Sequence, residues 1–265
     1  MKGIYHKIIE TENSDNQAAL CIVTQTKGST PRKAGSKMLV FENKNIVGTI
    51  GGGSLENEVI ENAIEVIKSR KPQIVKLKLE QDLNMSCGGY VEVFIEPIVN
   101  KMKLFIFGAG HIGRIIAQMA YNADFRVFLI DERIEIFNEF ENQNYTLIKK
   151  NHNLAFSELK FDSSAFICSI SHKHGYDKEI VEYCANQTFA YLGMIGSKRK
   201  IAKISSEFLE KNTVSQELIN KIDWPMGVQI NCETPYEIAI SIVAKLIDER
   251  GKITKITEDN TKHEE

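Results

Sequence analysis

The stretch from Leu104 to Gly113 decides the fold, and it reads Leu-Phe-Ile-Phe-Gly-Ala-Gly-His-Ile-Gly. It opens with a continuous apolar run, which is typical of a parallel strand buried on both faces. The run passes at once into a glycine loop of the form GxGxxG. Apolar residues at helical spacing follow, from Ile112 to Ala120. The stretch therefore predicts a strand, a phosphate-binding turn and a helix, in that order.

Each residue type in this glycine loop has a predicted role. Gly108 permits the tight turn, Gly110 lets the backbone approach a pyrophosphate, and Gly113 allows close packing of helix on strand. The helix N-terminus, near His111, offers unpaired N–H groups and a partial positive charge to a phosphate. Asp131 ends the next predicted strand and is placed to accept hydrogen bonds from ribose hydroxyls. The alternative to a nucleotide site is a glycine-rich turn that holds no ligand.

Strands and helices alternate through the rest of the chain. After the strand at 104–107, further strands are predicted at 127–130, 145–148, 165–170 and 189–192. Helical segments separate them, which indicates a βαβ series with a mostly parallel sheet. Residues 101–265 are therefore predicted to form a C-terminal Rossmann-like domain. Its last helix is predicted to begin at Pro235 behind the N-cap Thr234, and Gly251 is expected to end it.

Residues 1–100 predict a small α/β domain of short strands, turns and one clear helix. The strands are expected at 18–25, 37–41, 46–50, 74–79 and 90–95. The helix is expected to run from Leu55 to about Ser69, with Ser54 as its N-cap. The fold class is therefore α/β, with an N-terminal small α/β domain followed by a C-terminal Rossmann-like domain.

Length, charge and cysteine content limit the classes of function. The chain has 265 residues, a formal net charge of −2 and no apolar run long enough to span a membrane. The small net charge argues against nucleic acid as a partner. The N-terminus lacks the pattern of a signal peptide, and the five cysteines are widely spaced without a CxxC motif. This pattern argues against disulfides and structural zinc, and it favours the cytoplasm.

The loop after the strand at 165–170 carries two histidines. Loops at the carboxyl ends of parallel strands face the ligand crevice, and this one contains His172, His174 and Asp177. These side chains are candidates for lining a cofactor, binding a metal or shuttling a proton. Alternatively, Asp177 caps the following helix and the histidines are solvated. The sequence pattern does not identify a set of metal ligands.

The loop after the strand at 189–192 has the composition of a second anion site. It contains Gly196, Ser197 and Lys198, and two more cations follow at a predicted helix start. Backbone N–H groups and cations in this arrangement bind phosphate well. An ordinary positively charged loop is the alternative.

Two loops of the N-terminal domain are also candidates for binding an anion. The first, at 28–37, is basic, flanked by glycines, and contains Arg32. The second runs through Gly52 and Gly53 to Ser54, where a helix is predicted to open. A run of glycines by itself indicates only a tight turn, but two such loops in one small domain favour a binding site.

Cys87 stands before two glycines, where a thiol is accessible and its reactivity can be tuned by nearby cations. It is a candidate for carrying sulfur or contacting a metal cofactor, and an inert half-buried cysteine is the alternative. Cys21, Cys168 and Cys184 lie in predicted strands or a helix, so they are expected in the core.

Several segments together resemble the XdhC/CoxI family, the accessory proteins of xanthine dehydrogenase and related molybdenum hydroxylases. They occur in the family's order and extend over most of the chain, from about Ala18 to Leu246. Each segment is modest by itself, whereas the ordered set is specific. The segments lie at 28–38, 48–56, 87–97, 107–113, 193–197 and 233–239.

The resemblance implies a two-domain protein that handles the molybdenum cofactor for a molybdenum hydroxylase of purine metabolism. Family members are understood to bind molybdopterin, to hold it while its terminal sulfur is installed, and to deliver it to the hydroxylase. The implied partners are a hydroxylase such as xanthine dehydrogenase and a cysteine desulfurase-type sulfurase, and we expect a homodimer. Many members carry cysteine where this chain has Ser54, which makes Cys87 the substitute thiol to consider.

The leading hypothesis is therefore a cofactor-binding maturation factor rather than a turnover enzyme. The glycine loops and Cys87 would then line one cleft for a molybdopterin-type ligand. The first alternative is an NAD(P)-dependent oxidoreductase, in which Asp131 selects NAD and His172 or His174 handles protons. The second alternative is a nucleotide-sensing module without chemistry of its own.

Overall fold

The structure is a computed structural model that describes residues 3–83, 88–140 and 145–262. The chain divides into two compact units, Met1–Lys101 and Met102–Glu265, which we call unit 1 and unit 2. Each unit has its own hydrophobic core and is described by itself. No helix in the described part of the chain is long and apolar enough to cross a membrane.

Unit 1 is an antiparallel sheet with helices packed against it. The strands follow the order β3-β2-β1-β5-β4, and neighbouring strands are antiparallel. The predicted strands are confirmed with slightly shifted ends. In chain order the elements are α1 (Ile4–Glu12), β1 (Ala18–Lys27), β2 (Lys37–Phe41), β3 (Ile46–Gly48), α2 (Gly53–Ser69), β4 (Gln73–Lys78), α3 (Leu79–Leu83) and β5 (Tyr90–Pro97).

The expectation of one clear helix in unit 1 is wrong, because α1 and the short α3 are present beside α2. Only Ile4 and Ile8 of α1 pack against a small apolar cluster, while Tyr5 and Ile9 are exposed. Because α1 has two apolar residues on its buried side and two on its exposed side, its sequence has no clear amphipathic pattern. The sequence pattern therefore does not reveal α1.

The predicted helix α2 is confirmed, and its apolar face, with Leu55 and Val59, is fully buried. The prediction that Ser54 is the N-cap of this helix is wrong, because the N-cap is Gly52, which has a φ of 80°. Glycine adopts this left-handed conformation without steric strain, so the chain can enter the helix before Ser54. The side chain of Glu56, in the first turn of α2, accepts from backbone N–H groups of the preceding loop and so ties that loop to the helix.

Unit 2 has a parallel sheet with strand order β10-β9-β6-β7-β8. In chain order the elements are β6 (Lys103–Phe107), α4 (His111–Asn122), β7 (Arg126–Ile130), a 3₁₀ helix (Ile134–Phe140), β8 (Thr146–Ile148), α5 (His152–Phe156), β9 (Ala165–Ser169), α6 (His174–Ala185), β10 (Tyr191–Met194), α7 (Lys198–Glu210), α8 (Gln216–Ile219) and α9 (Pro235–Lys262). Strands and helices alternate from β6 to α7, as the βαβ prediction requires, and α8 and α9 follow without a further strand.

The strand order places a switch point beside β6. The chain leaves β6 for β7 on one side of it, and β9 later pairs on the other side. All residues of β6 and β9 are buried, and apolar clusters cover both faces of the sheet. In such sheets ligands bind outside the carboxyl ends of the strands at the switch point. The loops after β6 and β9 therefore border the expected crevice, and the Rossmann-like prediction for unit 2 is confirmed.

Helix α9 begins as predicted but ends later. The N–H of Glu237 donates to Thr234 Oγ1 at 3.3 Å, while Glu237 Oε2 accepts from the N–H groups of Glu233 and Thr234 at 2.7 Å and 2.8 Å. This is a capping box. Gly251 does not end the helix, which continues to Lys262. Lys252 pairs with Asp248 and Glu249 in this region, and such pairs support a helix that contains one glycine.

The capping box predicts a stability effect in unit 2. Replacing Thr234 by Ala removes the hydroxyl that accepts from the start of α9 and should lower the free energy of unfolding by roughly 0.5–2 kcal/mol. Thr234→Ser keeps the hydroxyl and serves as the matched control. Trp224, the chain's one tryptophan, lies in unit 2, so its fluorescence during urea unfolding reports this unit. If Thr234→Ala and Thr234→Ser have the same free energy of unfolding, Thr234 does not cap α9.

Candidate functional site

The glycine loop after β6 is held by very close backbone contacts. Gly108 has a φ of 123°, and its N–H donates to the carbonyl of Ile130 at 2.8 Å. A Cβ at Gly108 would lie 2.2 Å from the carbonyl oxygen of Ile170, and a Cβ at Gly113 would lie 1.9 Å from that of Gly108. No side chain fits at either distance. Both glycines are therefore required by the packing of this loop, whether or not a ligand binds.

Gly110, in contrast, is not required by its surroundings. Its φ of −70° suits any residue, and a Cβ there would meet no atom within 4 Å. Gly110 is the N-cap of α4, and the neighbouring His111 is exposed. The space above the N-terminus of α4 is thus open. An anion that approaches the free N–H groups of this helix end would use that space.

Asp131 follows β7, and its side chain is only 2% exposed. Its Oδ2 accepts from the N–H of Ala109 at 2.9 Å, which links Asp131 to the glycine loop. Arg133 donates from its backbone N–H, from Nε and from Nη2, at 3.0 Å, 3.0 Å and 2.8 Å. Burial alone would raise the pKa of Asp131, but the bonds from Arg133 and Ala109 outweigh it and lower the pKa. Asp131 is therefore a charged carboxylate at the edge of the sheet.

A polar cluster centred on Glu132 lies at the same edge. Its carboxylate accepts from Asn151 Nδ2 and Lys173 Nζ, both at 2.9 Å, and from Tyr176 Oη at 3.1 Å. The bonds from Asn151 and Lys173 are the main reason why the pKa of Glu132 falls to about 2. His172 Nε2 lies 3.8 Å from Glu132 Oε1. His172 thus belongs to this cluster rather than to bulk solvent.

A small, half-open pocket lies beside the Glu132 cluster, with a cavity volume of about 20 Å³ within about 270 Å³ of space that includes open solvent. It begins at Gly108, so it is continuous with the glycine loop. The structure therefore brings together Gly108, Asp131 and His172, three of the predicted site residues. The remaining lining residues are Phe107, Ile130, Glu132, Lys150, Asn151, His152, Ser171, Tyr176 and Ile180.

The structure gives Asp177 a structural role. Its Oδ1 accepts from Ser169 Oγ and from the N–H of Ser171, both at 2.8 Å, and its Oδ2 accepts from Lys200 Nζ at 2.6 Å. Helix α6 begins at His174 with Lys173 as its N-cap, so Asp177 lies inside the helix and an N-cap role for it is wrong. The carboxylate instead reaches back from the first turn of α6 and joins the loop after β9 to the first turn of α7.

The side chain of His174 is outside the described part of the structure. Its backbone opens α6, directly after the loop that contains His172. Among the residues that the structure describes, no group of three or more His, Cys, Asp or Glu side chains is arranged to hold a metal ion.

The loop after β10 is the predicted second anion site. Ser197 is the N-cap of α7, and its hydroxyl accepts from the N–H of Lys200 at 3.2 Å. The ammonium of Lys200 is bound to Asp177, whereas Lys198 is exposed to solvent. A Cβ at Gly196 would lie 3.1 Å from Cδ of Lys200, which is a flexible contact. Lys198 is thus available to an anion, and Lys200 holds the loop in place.

In unit 1 the predicted loops lie against each other. A Cβ at Gly51 would lie 2.8 Å from Cβ of Pro31, and a Cβ at Gly89 would lie 2.2 Å from the carbonyl oxygen of Ser29. The basic loop at 28–37 therefore contacts both the triple-glycine loop and the Gly88–Gly89 segment. Arg32 is exposed on this basic loop. Cys87 itself lies outside the described residues.

Glu56 fixes the triple-glycine loop. Its Oε1 accepts from Thr49 Oγ1 at 2.5 Å and from the N–H groups of Ile50 and Gly51 at 3.1 Å and 3.3 Å. Burial would raise the pKa of Glu56, but these bonds outweigh it and lower the pKa. Gly52 and Gly53 have positive φ values, and a Cβ at either position would meet no atom within 4 Å. With the exposed Ser54, they leave an open surface at the start of α2.

The described cysteines are mostly core residues. Cys21, Cys168 and Cys184 are buried as predicted, and burial raises the thiol pKa of each, to about 12 for Cys21. Cys232 is partly exposed, and its thiol donates to the carbonyl of Glu237 at 3.4 Å. Buried thiols with raised pKa values are poor sulfur carriers and metal ligands.

Sequence reasoning missed several residues of these sites. Glu132 and Asn151 follow β7 and β8 closely, so their position at the carboxyl edge is a signal that could have marked them. Arg133 also follows β7, but its bond to Asp131 and the bonds of Glu56 to residues 49–51 depend on local turn geometry, which the sequence pattern does not reveal.

The fold is a Rossmann-type unit preceded in the chain by an antiparallel α/β unit. Residues 104–246 match the XdhC Rossmann domain, and residues 12–78 match the XdhC and CoxI family. The chain therefore belongs to the XdhC and CoxI family.

Three similar proteins are informative. The uncharacterized Escherichia coli (strain K12) protein YqeB is 31% identical over 92% of this chain, but the chain spans only 46% of YqeB, about half its length. A Bacillus subtilis (strain 168) protein, named as a probable subunit of xanthine dehydrogenase, is 20% identical over 96% of this chain and 100% of its own length. A crystal structure from Bacillus halodurans, described as a xanthine dehydrogenase, has a TM-score of 0.53 at 19% identity, with 94% of this chain and 96% of that chain covered. This last likeness shows the fold alone.

The Glu56 contacts predict a pH-dependent stability. The pKa of folded Glu56 lies below the unfolded value of about 4.3, so its stabilisation is present above that pH and is lost as the pH falls through the folded pKa. Glu56→Gln should therefore lower the free energy of unfolding by about 1 kcal/mol at pH 7. The difference from wild type should shrink as the pH falls below about 4.

Urea unfolding at a series of pH values measures this difference. Glu65→Gln makes the same chemical change at an exposed position of α2 and is the matched control. If Glu56→Gln and Glu65→Gln behave alike at every pH, Glu56 does not fix the loop.

Proposed function

We propose that this chain is an accessory factor for the maturation of a molybdenum hydroxylase of the xanthine dehydrogenase type, and that it binds the molybdenum cofactor. Membership of the XdhC and CoxI family supports this role. So does the Bacillus subtilis relative that is named as a probable part of a xanthine dehydrogenase. The observation that carries the proposal is the open space at Gly110, in a loop whose other two glycines are fixed by packing.

The residues present fit the phosphorylated end of a molybdopterin. Gly110 and the N-terminus of α4 would hold the phosphate, and the polar groups around the small pocket beside Asp131 would contact the adjoining part of the cofactor. The bound group supplies the redox-active molybdenum that the hydroxylase uses. This chain's own residues would bind it, orient it and limit its contact with water.

Unit 1, taken by itself, carries further candidate cofactor-binding residues on its converging loops. Arg32 is an exposed cation, and Gly52, Gly53 and Ser54 border an open surface. Ser54 replaces the cysteine that many family members carry, so a sulfur contact would fall to Cys87. The loop after β10, with Gly196, Ser197 and Lys198, is a further phosphate contact in unit 2.

The partners in this proposal follow from the same role. A cofactor that needs a terminal sulfur before delivery requires a cysteine desulfurase-type sulfurase as donor and a molybdenum hydroxylase as acceptor. We also propose that the factor acts as a homodimer.

The open position at Gly110 provides the main test. Gly110→Ala should fold normally, because a Cβ there touches nothing within 4 Å. The methyl group would occupy the space needed by the phosphate and should reduce bound cofactor about tenfold. Molybdenum is measured by mass spectrometry of the purified protein, and pterin by fluorescence after oxidation. Gly251→Ala, the same change at an open position in α9, is the control and should retain the cofactor.

Two results would count against the proposal. Equal pterin and molybdenum in wild type and Gly110→Ala would exclude the glycine loop as the cofactor site. A wild-type protein that carries neither, but forms NADH from a substrate, would be an NAD(P)-dependent oxidoreductase instead.

A further inference from the structure

One face of the sheet in unit 1 is only partly covered by helices. Val91 and Val93 of β5 are buried in the core that α2 covers. Because side chains alternate along a strand, Tyr90 and Glu92 lie on the opposite face. On that face α1 packs against a cluster that includes Ala18, at the start of β1. Residues at the other end of β1, and their neighbours on β5 and β4, are outside that cluster.

Lys27, Tyr90 and Lys78 form one row across three strands at this open end. Tyr90 of β5 pairs with Lys27 of β1 on one side and with Lys78 of β4 on the other. Residues paired in this way place their side chains on the same face, with Cβ atoms about 5 Å apart. Both lysines are exposed, and Tyr90 is partly exposed. We call these three residues the Tyr90 row.

The two cations of the Tyr90 row are available to an anion. The Nζ of Lys27 lies 5.9 Å from the centre of the Tyr90 ring, which is the outer limit of a cation–π contact. In the part of the chain that the structure describes, neither Lys27 nor Lys78 forms an ion pair. The neighbouring Lys76, in contrast, lies 3.9 Å from a carboxylate oxygen of Glu92. The row therefore presents positive charge that no acid of the described residues neutralises by direct contact.

Two acidic side chains close to the row have other partners. Glu92 accepts from Thr24 Oγ1 at 2.9 Å and from Tyr90 Oη at 3.3 Å. Asp82 Oδ2 accepts from the backbone N–H of Lys78 at 2.6 Å. These bonds hold the phenol of Tyr90 and the end of β4 in place, so the row is preorganised for a ligand.

The row adjoins the converging loops of unit 1. Lys27 is followed directly by Gly28, and Tyr90 is preceded directly by Gly89. A Cβ at Gly28 would lie 3.5 Å from Cα of Gly89, so the two loops touch beside the row. The exposed Arg32 lies on the first of these loops and adds a further cation to this end of the sheet.

A ring between two cations favours a flat ligand that carries negative charge. The face of a tyrosine ring stacks on a conjugated ring system, and an ammonium group forms strong hydrogen bonds with an anionic group. Neighbouring strands are about 4.8 Å apart, so the Cα atoms of Lys27 and Lys78 are separated by roughly 10 Å, a span that suits a two-ring system. A neutral ring would lose the ion pairs, and an aliphatic anion would lose the stacking.

We infer that the Tyr90 row binds a flat, conjugated ring that carries a negative charge. The ring stacks on Tyr90, and Lys27 and Lys78 pair with its anionic groups. This site lies wholly in unit 1 and uses no residue of the glycine loop after β6. The inference rests on the proposed function only in the choice of probe, because the ring of the proposed cofactor is a pterin.

Fluorescence anisotropy with the wild-type chain tests the class of ligand. Pterin-6-carboxylate is a fluorescent, flat anion, and it should bind at low salt with a Kd of about 1 mM or below. Added sodium chloride should weaken this binding, because salt screens exposed ion pairs. The neutral 6-hydroxymethylpterin should bind several-fold more weakly. No binding of pterin-6-carboxylate, or its displacement by an equal concentration of the aliphatic anion cyclohexanecarboxylate, would overturn the inference.

Variants of the tyrosine test the stacking. Tyr90→Leu should weaken the binding of pterin-6-carboxylate about tenfold, because the ring face is lost. Tyr90→Phe keeps the ring and should retain most of the affinity. Tyr5→Leu makes the same change at a tyrosine of α1 that is 64% exposed in the same unit, and it is the matched control. Equal affinities of Tyr90→Leu and Tyr5→Leu would refute stacking on Tyr90.

Variants of the lysines test the ion pairs. Lys27→Gln and Lys78→Gln should each weaken binding about threefold and reduce its dependence on salt. Lys44→Gln removes a cation that is 55% exposed in the turn between β2 and β3, and it should bind like wild type. If Lys27→Gln and Lys78→Gln bind pterin-6-carboxylate as Lys44→Gln does, the two cations are not its contacts.

Thermal unfolding first establishes that each variant is folded, and Tyr90→Val replaces Tyr90→Leu if the latter is unstable. Probe binding that is lost in Gly110→Ala but kept in Tyr90→Leu would place the pterin in unit 2 and refute the row. Molybdenum cofactor that copurifies with the chain while the row binds no pterin-6-carboxylate would leave the maturation role intact and refute this inference. Probe binding at the row without copurified cofactor would support the inference and count against the proposed function.

Discussion

The site in unit 2 depends on the close approach of two glycines to neighbouring backbone. At Gly108 there is no room for a Cβ beside the carbonyl of Ile170, and at Gly113 there is none beside the carbonyl of Gly108. These contacts seat α4 against the ends of β6 and β9. They also bring the N–H of Ala109 within 2.9 Å of Asp131. The pocket and the open helix N-terminus both follow from this one packing constraint.

Carboxylates hold the glycine loops of both units in the same way. In unit 2 Asp131 accepts the N–H of Ala109, and in unit 1 Glu56 accepts the N–H of Gly51. Each bond ties a glycine loop to a neighbouring carboxylate, while the positions at Gly110, Gly52 and Gly53 stay open. Asp177 extends this arrangement to the loop after β9 and the first turn of α7. Preorganised loops of this kind bind an anion without the entropic cost of ordering flexible chain.

The sequence was sufficient for the features that depend on local pattern. The apolar run at 104–107 and the glycines after it predicted a strand, a turn and a helix, because these signals act within a few residues. Helix α1 and the continuation of α9 past Gly251 cannot be predicted from sequence pattern, because tertiary packing and ion pairs decide them. The loops of the candidate site were located from their positions after strands. The pairing of Arg133 with Asp131 cannot be predicted in this way, because it depends on three-dimensional geometry that sequence periodicity does not encode.

The central claim is that a phosphate-bearing ligand binds at the N-terminus of α4. The most direct measurement is the change in backbone amide NMR shifts of isotope-labelled protein when a ligand such as ATP is added. The account predicts that the largest changes occur at the amides of Gly110, His111 and Gly113, with smaller ones near Asp131. Saturable changes confined to other regions, such as α7 or the loop at 28–37, would contradict it.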